Sequence, residues 1–288
     1  MSSTDLATEV LNPTRPLPPV EAVSDRLRSL LQSRFGFKSY RNHQEEVCLN
    51  VGMGKDVLLV MPTGAGKSLC YQLPGLARGG PTLVISPLLA LIEDQVEKLK
   101  HLGVRADRIH SGRSRDDSRS ACMQYLLGKL DFLLIAPERF SVPGFLGMLQ
   151  KRKPTLIAVD EAHCISQWGH DFRPDYRALG EHLEALRPAN IVALTATATP
   201  VVQDDICRQL RLTQETRSIH GFRRANIAIQ LLEVQPSLRL PMVESLLKKE
   251  SDRPAIVYAP TRKVAEQLYE GLKSQFRIGI YHAGLCPR

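Results

Sequence analysis

Short apolar runs alternate with helical stretches along most of the chain. The runs are Leu-rich or β-branched and lie at residues 56–61, 82–86, 131–136, 155–160 and 191–195. The stretch 88–102, between two of them, has the spacing of a helix. Strands that are apolar on both faces and alternate with helices are typical of a doubly wound parallel sheet. The pattern therefore predicts an α/β fold.

A second series of the same kind begins near residue 226. It comprises apolar runs at residues 226–234, 255–258 and 277–281, with a helix at residues 263–273. This stretch is too short for an open parallel sheet with helices on both faces. We therefore expect an incomplete second lobe, with the hinge and the first part of that lobe over residues 216–288 and the complete first lobe over residues 24–215.

The N-terminal part of the chain has a different pattern. Residues 1–23 carry several prolines among small and polar residues, which predicts a flexible arm. Ser24 or Asp25 then caps a short amphipathic helix whose apolar face includes Leu27 and Leu31 and which ends near Gly36.

Composition narrows the class of protein. With 288 residues, 43% hydrophobic and 24% charged, the chain resembles an ordinary globular protein. Its formal net charge of +8 is the sign expected of a protein that approaches phosphates. The six cysteines form no C-x-x-C pair, and no apolar run could span a bilayer or serve as a signal peptide. We therefore expect a cytoplasmic protein without a membrane partner, a disulfide framework or a zinc site.

Residues 61–68, Met-Pro-Thr-Gly-Ala-Gly-Lys-Ser, have the context of a phosphate loop, because they follow an apolar strand and precede a helix start. Glycines let backbone N–H groups turn toward phosphates, the lysine balances the phosphate charge, and the serine hydroxyl can ligate Mg²⁺. Met61 stands where the generic pattern has glycine. The predicted nucleotide-binding residues here are Thr63, Gly64, Ala65, Gly66, Lys67 and Ser68.

An acidic pair follows another apolar run, in the sequence Asp160-Glu161-Ala162-His163. Ligands of open α/β sheets gather at the carboxyl ends of the strands, so Asp160 and Lys67 can face one crevice. We expect Asp160 to hold Mg²⁺ together with Ser68, and Glu161 to orient and deprotonate the attacking water.

The Asp-Glu-Ala-His sequence after a phosphate loop resembles superfamily-two helicases, which are built from RecA-like lobes. Residues 164–176 resemble the aromatic-rich loop of RecQ-type DNA helicases, and this loop holds the only tryptophan of the chain. Aromatic faces can stack on bases while an arginine contacts a phosphate. Residues 86–91 also resemble a DNA-side helicase motif. The predicted DNA-binding residues are Ser86, Pro87, Gln167, Trp168, His170, Phe172 and Arg173.

Other segments match the same family in order. Residues 35–44 resemble its adenine-recognition motif, in which Phe37 and Arg41 would sandwich the base and Gln44 would bind its edge. Residues 194–199 resemble the motif whose hydroxyls link the ATP and DNA sites, which implies coupling by Thr195 and Thr197. His163, grouped with the catalytic residues Lys67, Asp160 and Glu161, is expected to belong to that coupling network. Residues 256–262 and 281–285 resemble second-lobe motifs.

The resemblance implies an ATP-dependent 3′–5′ DNA helicase that uses ATP and Mg²⁺ on single-stranded and forked DNA, in recombination or repair. In a bacterium it would be associated with the nucleoid. Later family motifs, including an arginine that faces the γ-phosphate, would follow residue 288, so we expect the chain alone to bind ATP and hydrolyse it slowly. An RNA helicase, a nucleotide- or DNA-binding module without turnover, and, from the phosphate loop alone, a kinase remain alternatives.

Overall fold

The computed structural model describes residues 19–169, 171–221 and 227–285. The chain divides into two compact units, Met1–Arg224 and Ala225–Arg288. The first unit contains a seven-stranded sheet. Its strands are β1 (Val57–Val60), β2 (Thr82–Ile85), β3 (Ala106–Ile109), β4 (Phe132–Ile135), β5 (Leu156–Val159), β6 (Asn190–Thr195) and β7 (Thr216–Ile219).

All pairings in this sheet are parallel, in the order β3-β4-β2-β5-β6-β1-β7. The helices of this unit are α1 (Val20–Ser33), α2 (Gln44–Gly52), α3 (Leu69–Arg78), α4 (Leu89–His101), α5 (Arg115–Leu126), α6 (Phe145–Lys151), α7 (Pro174–Arg177), α8 (Leu179–Glu184) and α9 (Pro200–Gln209), with 3₁₀ turns at Pro137–Ser141 and Ala162–Ile165. The predicted doubly wound α/β fold is confirmed.

Two apolar clusters hold the helices against opposite faces of the sheet. One cluster joins α1 to α4 with side chains such as Val57 and Leu59 of β1, and the other joins α5 to α9 with Leu58 and Val60. Successive residues of a strand point to opposite faces, so a strand between two helical layers must be apolar throughout. The five predicted strands β1, β2, β4, β5 and β6 are buried along their whole length.

The sequence pattern did not predict β3 and β7, the two edge strands. They read Ala-Asp-Arg-Ile and Thr-Arg-Ser-Ile, and each has a neighbouring strand on one side only. An edge strand tolerates charged side chains that a central strand excludes, so it produces no apolar run. Because β7 pairs with β1, residues 216–219 belong to the first unit, and the boundary predicted after residue 215 is too early.

Helix α1 also begins earlier than predicted, at Val20 rather than Ser24, with Pro19 at its N-cap. Val23, Leu27 and Leu31 are buried at four-residue spacing, so the apolar face extends back into the predicted arm. Residues 20–23 are therefore helical. The rest of the predicted arm, residues 1–18, lies outside the described residues.

The second unit contains α10 (Arg239–Leu247) and α11 (Arg262–Leu272), with 3₁₀ turns at Pro236–Leu238 and Glu250–Asp252. Helix α11 confirms the helix predicted at residues 263–273. The three predicted strands are not formed within the described residues 227–285; residue 226, where the first of them begins, is not described. Leu231 is 95% exposed and Ile256 80%, and no strand in the part of the chain that the structure describes pairs with their backbone groups. A strand requires such a neighbour.

None of the helices in the described ranges combines the length and apolar character needed to cross a membrane.

Candidate functional site

The loop between β1 and α3 has the backbone of a phosphate-binding turn. Gly64 and Gly66 adopt positive φ angles of 81° and 87°, which side chains rarely permit. A Cβ atom on Gly66 would lie 2.4 Å from Nε2 of Gln44. Ser68 is the N-cap of α3, so the loop enters the positive end of a helix. The loop can therefore direct backbone N–H groups at an anion.

Lys67 lies between this loop and two carboxylates. Its ammonium group donates a hydrogen bond to the carbonyl oxygen of Met61 at 3.0 Å. Burial lowers the pKa of Lys67, and the nearby carboxylates of Glu161 and Asp160 oppose that shift. Although these acids follow β5, two strands away from β1, the parallel sheet brings all three side chains to one edge.

Asp160 is almost fully buried at the end of β5, with 8% of its surface exposed. Its Oδ1 accepts a hydrogen bond from the backbone N–H of Glu161 at 3.0 Å, and its Oδ2 accepts one from Nε2 of Gln95 at 3.4 Å. Burial, followed by the charge of Glu161, raises the pKa of Asp160. A buried carboxylate whose charge is poorly compensated is suited to a cation, so Asp160 fits its predicted role as a Mg²⁺ ligand. The predicted second ligand, Ser68, stays a prediction.

Hydrogen-bonding contacts lead from Glu161, the second residue of the acidic pair, to the end of β6. Glu161 adopts a left-handed backbone with φ of 48°, which is uncommon outside glycine and frequent at functional sites. Its Oε2 lies 3.2 Å from Nδ1 of His163, and that nitrogen is 2.9 Å from Oγ1 of Thr195. The Thr195 hydroxyl donates to the carbonyl oxygen of Thr197 at 3.1 Å. These contacts join four of the predicted residues in one chain.

Gln44 is buried beneath the phosphate loop. Its amide nitrogen donates to the carbonyl oxygens of Gly66 and Ala65, at 3.1 and 3.3 Å. Its amide oxygen accepts the backbone N–H of Arg41 at 2.9 Å, and the Arg41 guanidinium donates to the carbonyl oxygen of Gly64 at 3.2 Å. Both residues thus support the loop in addition to their predicted adenine contact, which stays a prediction.

Phe37, the other predicted adenine contact, is 46% exposed. It borders an open pocket of about 320 Å³ that is lined by Gln32, Gly36, Phe37 and Lys38. An exposed aromatic face beside a pocket of this size can stack on a planar base.

The aromatic-rich loop exposes its tryptophan while packing closely on the acidic segment. Trp168 is 74% exposed, and its backbone N–H donates to Oγ of Ser166 at 3.2 Å. The next residue, Gly169, approaches the carbonyl oxygen of His163 so closely that a Cβ atom would lie 2.6 Å from it. The loop is therefore in direct contact with the backbone of the segment that carries Glu161 and His163.

Arg173 joins this loop to the segment after β2. Its guanidinium donates to the carbonyl oxygen of Pro87 at 2.9 Å and to Oδ2 of Asp171 at 3.1 Å. Ser86 and Pro87 are themselves buried, and the exposed residues of this segment begin at Leu88. Of the remaining predicted DNA contacts, Gln167 is exposed, Phe172 is half-buried, and His170 lies outside the described residues.

His163, Cys164 and Asp171 form a compact group of possible metal ligands, with their ligand atoms within 4.8 Å of one another. The Cys164 thiol donates to Oδ2 of Asp171 at 3.7 Å. Burial raises the pKa of Cys164 to about 12, so the thiol stays protonated at neutral pH.

A family model described as DEAD/DEAH box helicase matches residues 41–205, which is more than half of the chain and includes the phosphate loop, the acidic pair and the aromatic-rich loop. The chain belongs to the DEAD/DEAH box helicase family.

This helicase chain is similar to proteins named ATP-dependent DNA helicase RecQ. It is 40% identical to the one from Bacillus subtilis (strain 168), over 91% of this chain and 44% of the relative. It is 41% identical to the protein named ATP-dependent DNA helicase Q5 from Rattus norvegicus, over 90% of this chain and 29% of the relative. The chain thus spans less than half the length of these relatives.

Solved helicase structures share the fold. The chain superposes on the DUF1998 helicase MrfA bound to DNA and AMPPNP with a TM-score of 0.65, at 17% identity, covering 90% of this chain and 39% of that one. For the Mycobacterium smegmatis helicase Lhr bound to ssDNA and AMP-PNP, the TM-score is 0.57 at 17% identity, over 92% of this chain and 38% of that one. Such low identity supports the RecA-like fold alone.

The structure connects three buried residues of this site to Asp160 through hydrogen bonds that the sequence did not indicate, although Gln95 was placed with residues 86–91 in the segment that resembles a DNA-side helicase motif. The hydroxyl of Tyr176, at the end of the aromatic-rich loop, donates to the carbonyl oxygen of Asp160 at 3.0 Å. Tyr71 and Gln95 form a hydrogen-bonded pair that reaches the Asp160 carboxylate. The connections to Asp160 have no local sequence signal, and only polar atoms on otherwise apolar helix faces could have indicated them.

Proposed function

We propose that this chain carries the nucleotide site of an ATP-dependent 3′–5′ DNA helicase of RecQ type, which couples hydrolysis of Mg²⁺-bound ATP to translocation on single-stranded DNA and to duplex unwinding. The observation that carries the proposal is the juxtaposition of two sites. Lys67, Asp160 and Glu161 share one edge of the sheet, and the loop with the exposed Trp168 packs directly on the segment after Asp160.

Each residue at the edge has a distinct chemical role. The phosphate loop binds the β- and γ-phosphates through backbone N–H groups, and Lys67 neutralises their charge. Ser68 and Asp160 would hold Mg²⁺, which supplies further positive charge to the phosphates when it is bound. Glu161 orients the attacking water and accepts its proton.

His163 and Thr195 transmit changes between the two sites. Glu161 contacts His163, which contacts Thr195, and the backbone of His163 lies against Gly169 of the aromatic-rich loop. A base stacked on Trp168 would shift this loop and thereby the position of Glu161. This coupling gives a physical route for DNA to stimulate hydrolysis.

Relatives of this chain are named ATP-dependent DNA helicases, and these names support DNA as the proposed nucleic acid and ATP as the proposed nucleotide. We extend the proposal to forked DNA as a substrate, to a role in recombination or repair, and to the cytoplasm, with association with the nucleoid in a bacterium. The direction of movement comes from the RecQ resemblance.

ATP hydrolysis by this chain, measured with Mg²⁺ alone, with single-stranded DNA and with RNA of the same sequence, tests the proposal. We expect stimulation by DNA that exceeds stimulation by RNA and that is lost in Lys67→Ala. Greater stimulation by RNA would favour an RNA helicase. Nucleotide binding without turnover would favour a binding module, and no Lys67-dependent binding would refute the nucleotide site.

Unwinding of duplexes with a single-stranded 3′ or 5′ tail, and of a forked duplex, tests direction and substrate. The proposal expects loading on the 3′ tail and on the fork. Equal activity on both tails, in a preparation whose hydrolysis depends on DNA, would contradict the proposed direction while leaving the ATPase assignment intact.

A further inference from the structure

A buried polar chain connects two helices to the proposed metal ligand. The hydroxyl of Tyr71, in α3, donates to Oε1 of Gln95, in α4, at 2.5 Å. Nε2 of Gln95 donates to Oδ2 of Asp160 at 3.4 Å. Tyr71 is 1% exposed and Gln95 9%, so water does not compete appreciably for these hydrogen bonds.

The Asp160 backbone is held by hydrogen bonds that do not involve Tyr71 or Gln95. Its N–H donates to the carbonyl oxygen of Ile85 at 2.8 Å, and its carbonyl oxygen accepts the Tyr176 hydroxyl. The carboxylate can still rotate about its side-chain bonds. The Gln95 side chain donates a hydrogen bond to Oδ2 of the carboxylate, and the backbone N–H of Glu161 donates to Oδ1.

The Gln95 amide can meet a carboxylate only through its nitrogen, because its oxygen and the carboxylate oxygens are all acceptors. The Tyr71 hydroxyl favours this orientation by donating to the amide oxygen. Without that hydroxyl, the amide loses the partner that sets its orientation, and the carboxylate loses a fixed donor. The phenol oxygen thus acts on Asp160 through Gln95.

We propose that Tyr71 and Gln95 are positioning residues that orient the Asp160 carboxylate for Mg²⁺. This inference rests on the proposed function, in which Asp160 and Ser68 hold the ion. Hydrogen bonds from the surroundings to a ligating carboxylate fix its direction, and their loss weakens metal binding roughly tenfold or more. A role limited to packing would leave the Mg²⁺ dependence of nucleotide binding unchanged.

Tyr71→Phe tests the inference, because it removes one oxygen and keeps the ring in the core. Tyr125→Phe is the matched control: Tyr125 is equally buried, and its hydroxyl donates to the carbonyl oxygen of Arg152, in a different cluster of the core. Binding of a fluorescent ADP analogue is measured against Mg²⁺ concentration and in EDTA. We expect Tyr71→Phe to raise the Mg²⁺ concentration for half-maximal binding roughly tenfold, with unchanged affinity in EDTA.

Gln95→Leu, of similar shape, serves as the second variant, and it decides the question if Tyr71→Phe does not fold. It is expected to shift the Mg²⁺ dependence in the same direction. If the variants and Tyr125→Phe all share the wild-type Mg²⁺ dependence, the inference is overturned while the proposed nucleotide site stands. If the wild type binds no nucleotide, or binds it no better than Lys67→Ala, the proposed function fails, and the inference fails with it.

Discussion

The proposed nucleotide edge of the sheet, which carries Lys67, Asp160 and Glu161, adjoins the aromatic-rich loop at residues 164–176. The two regions are built in opposite ways. At the edge, Asp160 is buried and Lys67 is half-buried. Burial raises the pKa of Asp160 and lowers that of Lys67, so it favours the neutral form of each group. In the loop, Trp168 is mostly exposed, and the half-buried Arg173 is paired with the exposed carboxylate of Asp171. The first region presents fixed charges, whereas the second presents an aromatic surface.

This difference matches what each ligand requires. Phosphates and a metal ion are recognised by charges in a fixed geometry, and burial strengthens those interactions once the ligand is bound. Bases of a moving strand are bound by stacking, which tolerates any sequence and needs an accessible ring. The comparison predicts that substitutions at the edge change nucleotide binding and stability, and that substitutions in the loop change the response to DNA.

The largest effect is expected for Lys67→Ala, which removes the cation of the edge. Loss of a hydrogen bond to a charged group costs about 1.5–3 kcal/mol, so nucleotide affinity should fall roughly tenfold or more. Turnover should fall on the order of 10²-fold. Equilibrium binding of a fluorescent nucleotide and steady-state hydrolysis measure the two losses. DNA affinity without nucleotide should not change, and an equal loss there would break the division between the regions.

The next effect is expected for Trp168→Ala. A stacked base contributes about 1–3 kcal/mol, so affinity for single-stranded DNA should fall roughly 5- to 150-fold, and DNA should no longer stimulate hydrolysis. Fluorescence anisotropy of a labelled oligonucleotide measures the affinity.

Two variants control this experiment. Trp168→Phe retains an aromatic face and should keep most of the stimulation, while Leu127→Ala removes an exposed apolar side chain from outside the loop. Nucleotide affinity should be unchanged in all three. A Trp168→Ala protein that DNA still stimulates fully would show that the loop does not sense the strand.

A smaller effect, on stability, is expected for Asp160→Asn. Its pKa is raised by burial and by Glu161, so the ionised form destabilises the folded state at every pH above the ordinary value of the carboxyl. Removing that charge should raise the melting temperature of the ligand-free protein at pH 7 by a few °C. Stabilisation of the protein by Mg²⁺ and nucleotide should be lost at the same time.

Asp116→Asn provides the contrast, because Asp116 is an exposed carboxylate in the first turn of α5. Its removal should give no gain in melting temperature. If both substitutions stabilised the protein equally, burial at the nucleotide edge would not be the cause.

The sequence predicted most of the elements and the convergence of Lys67, Asp160 and Glu161 on one edge of the sheet, because both depend on local pattern. The chemical roles of these three residues stay predictions. Fully buried strands produce continuous apolar runs, and the residues of the phosphate loop are adjacent in sequence. Resemblance to RecQ-type helicases was confirmed by the matches to that family. The DNA and adenine contacts stay predictions.

The local sequence pattern could not predict contacts between residues that are distant in the sequence. Tyr71, Gln95 and Asp160 lie 24 and 65 positions apart, and only the folded sheet brings them together. Edge strands β3 and β7 were missed because charged residues interrupt their apolar runs. In the second unit the opposite error arose, since apolar runs suggested strands where no neighbouring strand is described.

The smallest effect tests how far the charge sensitivity of the nucleotide edge extends. His43, directly before Gln44, stacks on His220, directly after β7, with ring centroids 3.8 Å apart. Burial, followed by the charge of His43, lowers the pKa of His220, and Glu46 partly opposes the shift. The folded state therefore favours the neutral ring. The neutral His220 ring contributes fully to the free energy of unfolding above the ordinary histidine pKa of about 6.5. That contribution is lost as pH falls from this value through the lowered pKa of the folded protein.

The melting temperature of the wild type should thus fall more between pH 7.5 and pH 5.5 than that of His220→Gln. Glutamine is chosen because its amide can still form a hydrogen bond with the Ser218 hydroxyl, which lies 2.7 Å from Nε2 of His220 in the wild type. Because the ring is partly exposed and screened by water, the difference should be no more than about 2 °C. Taking the difference between the two proteins removes the titration of all other groups. If the melting temperatures of the two proteins changed in parallel with pH, the charge sensitivity of the nucleotide edge would not extend to this histidine pair.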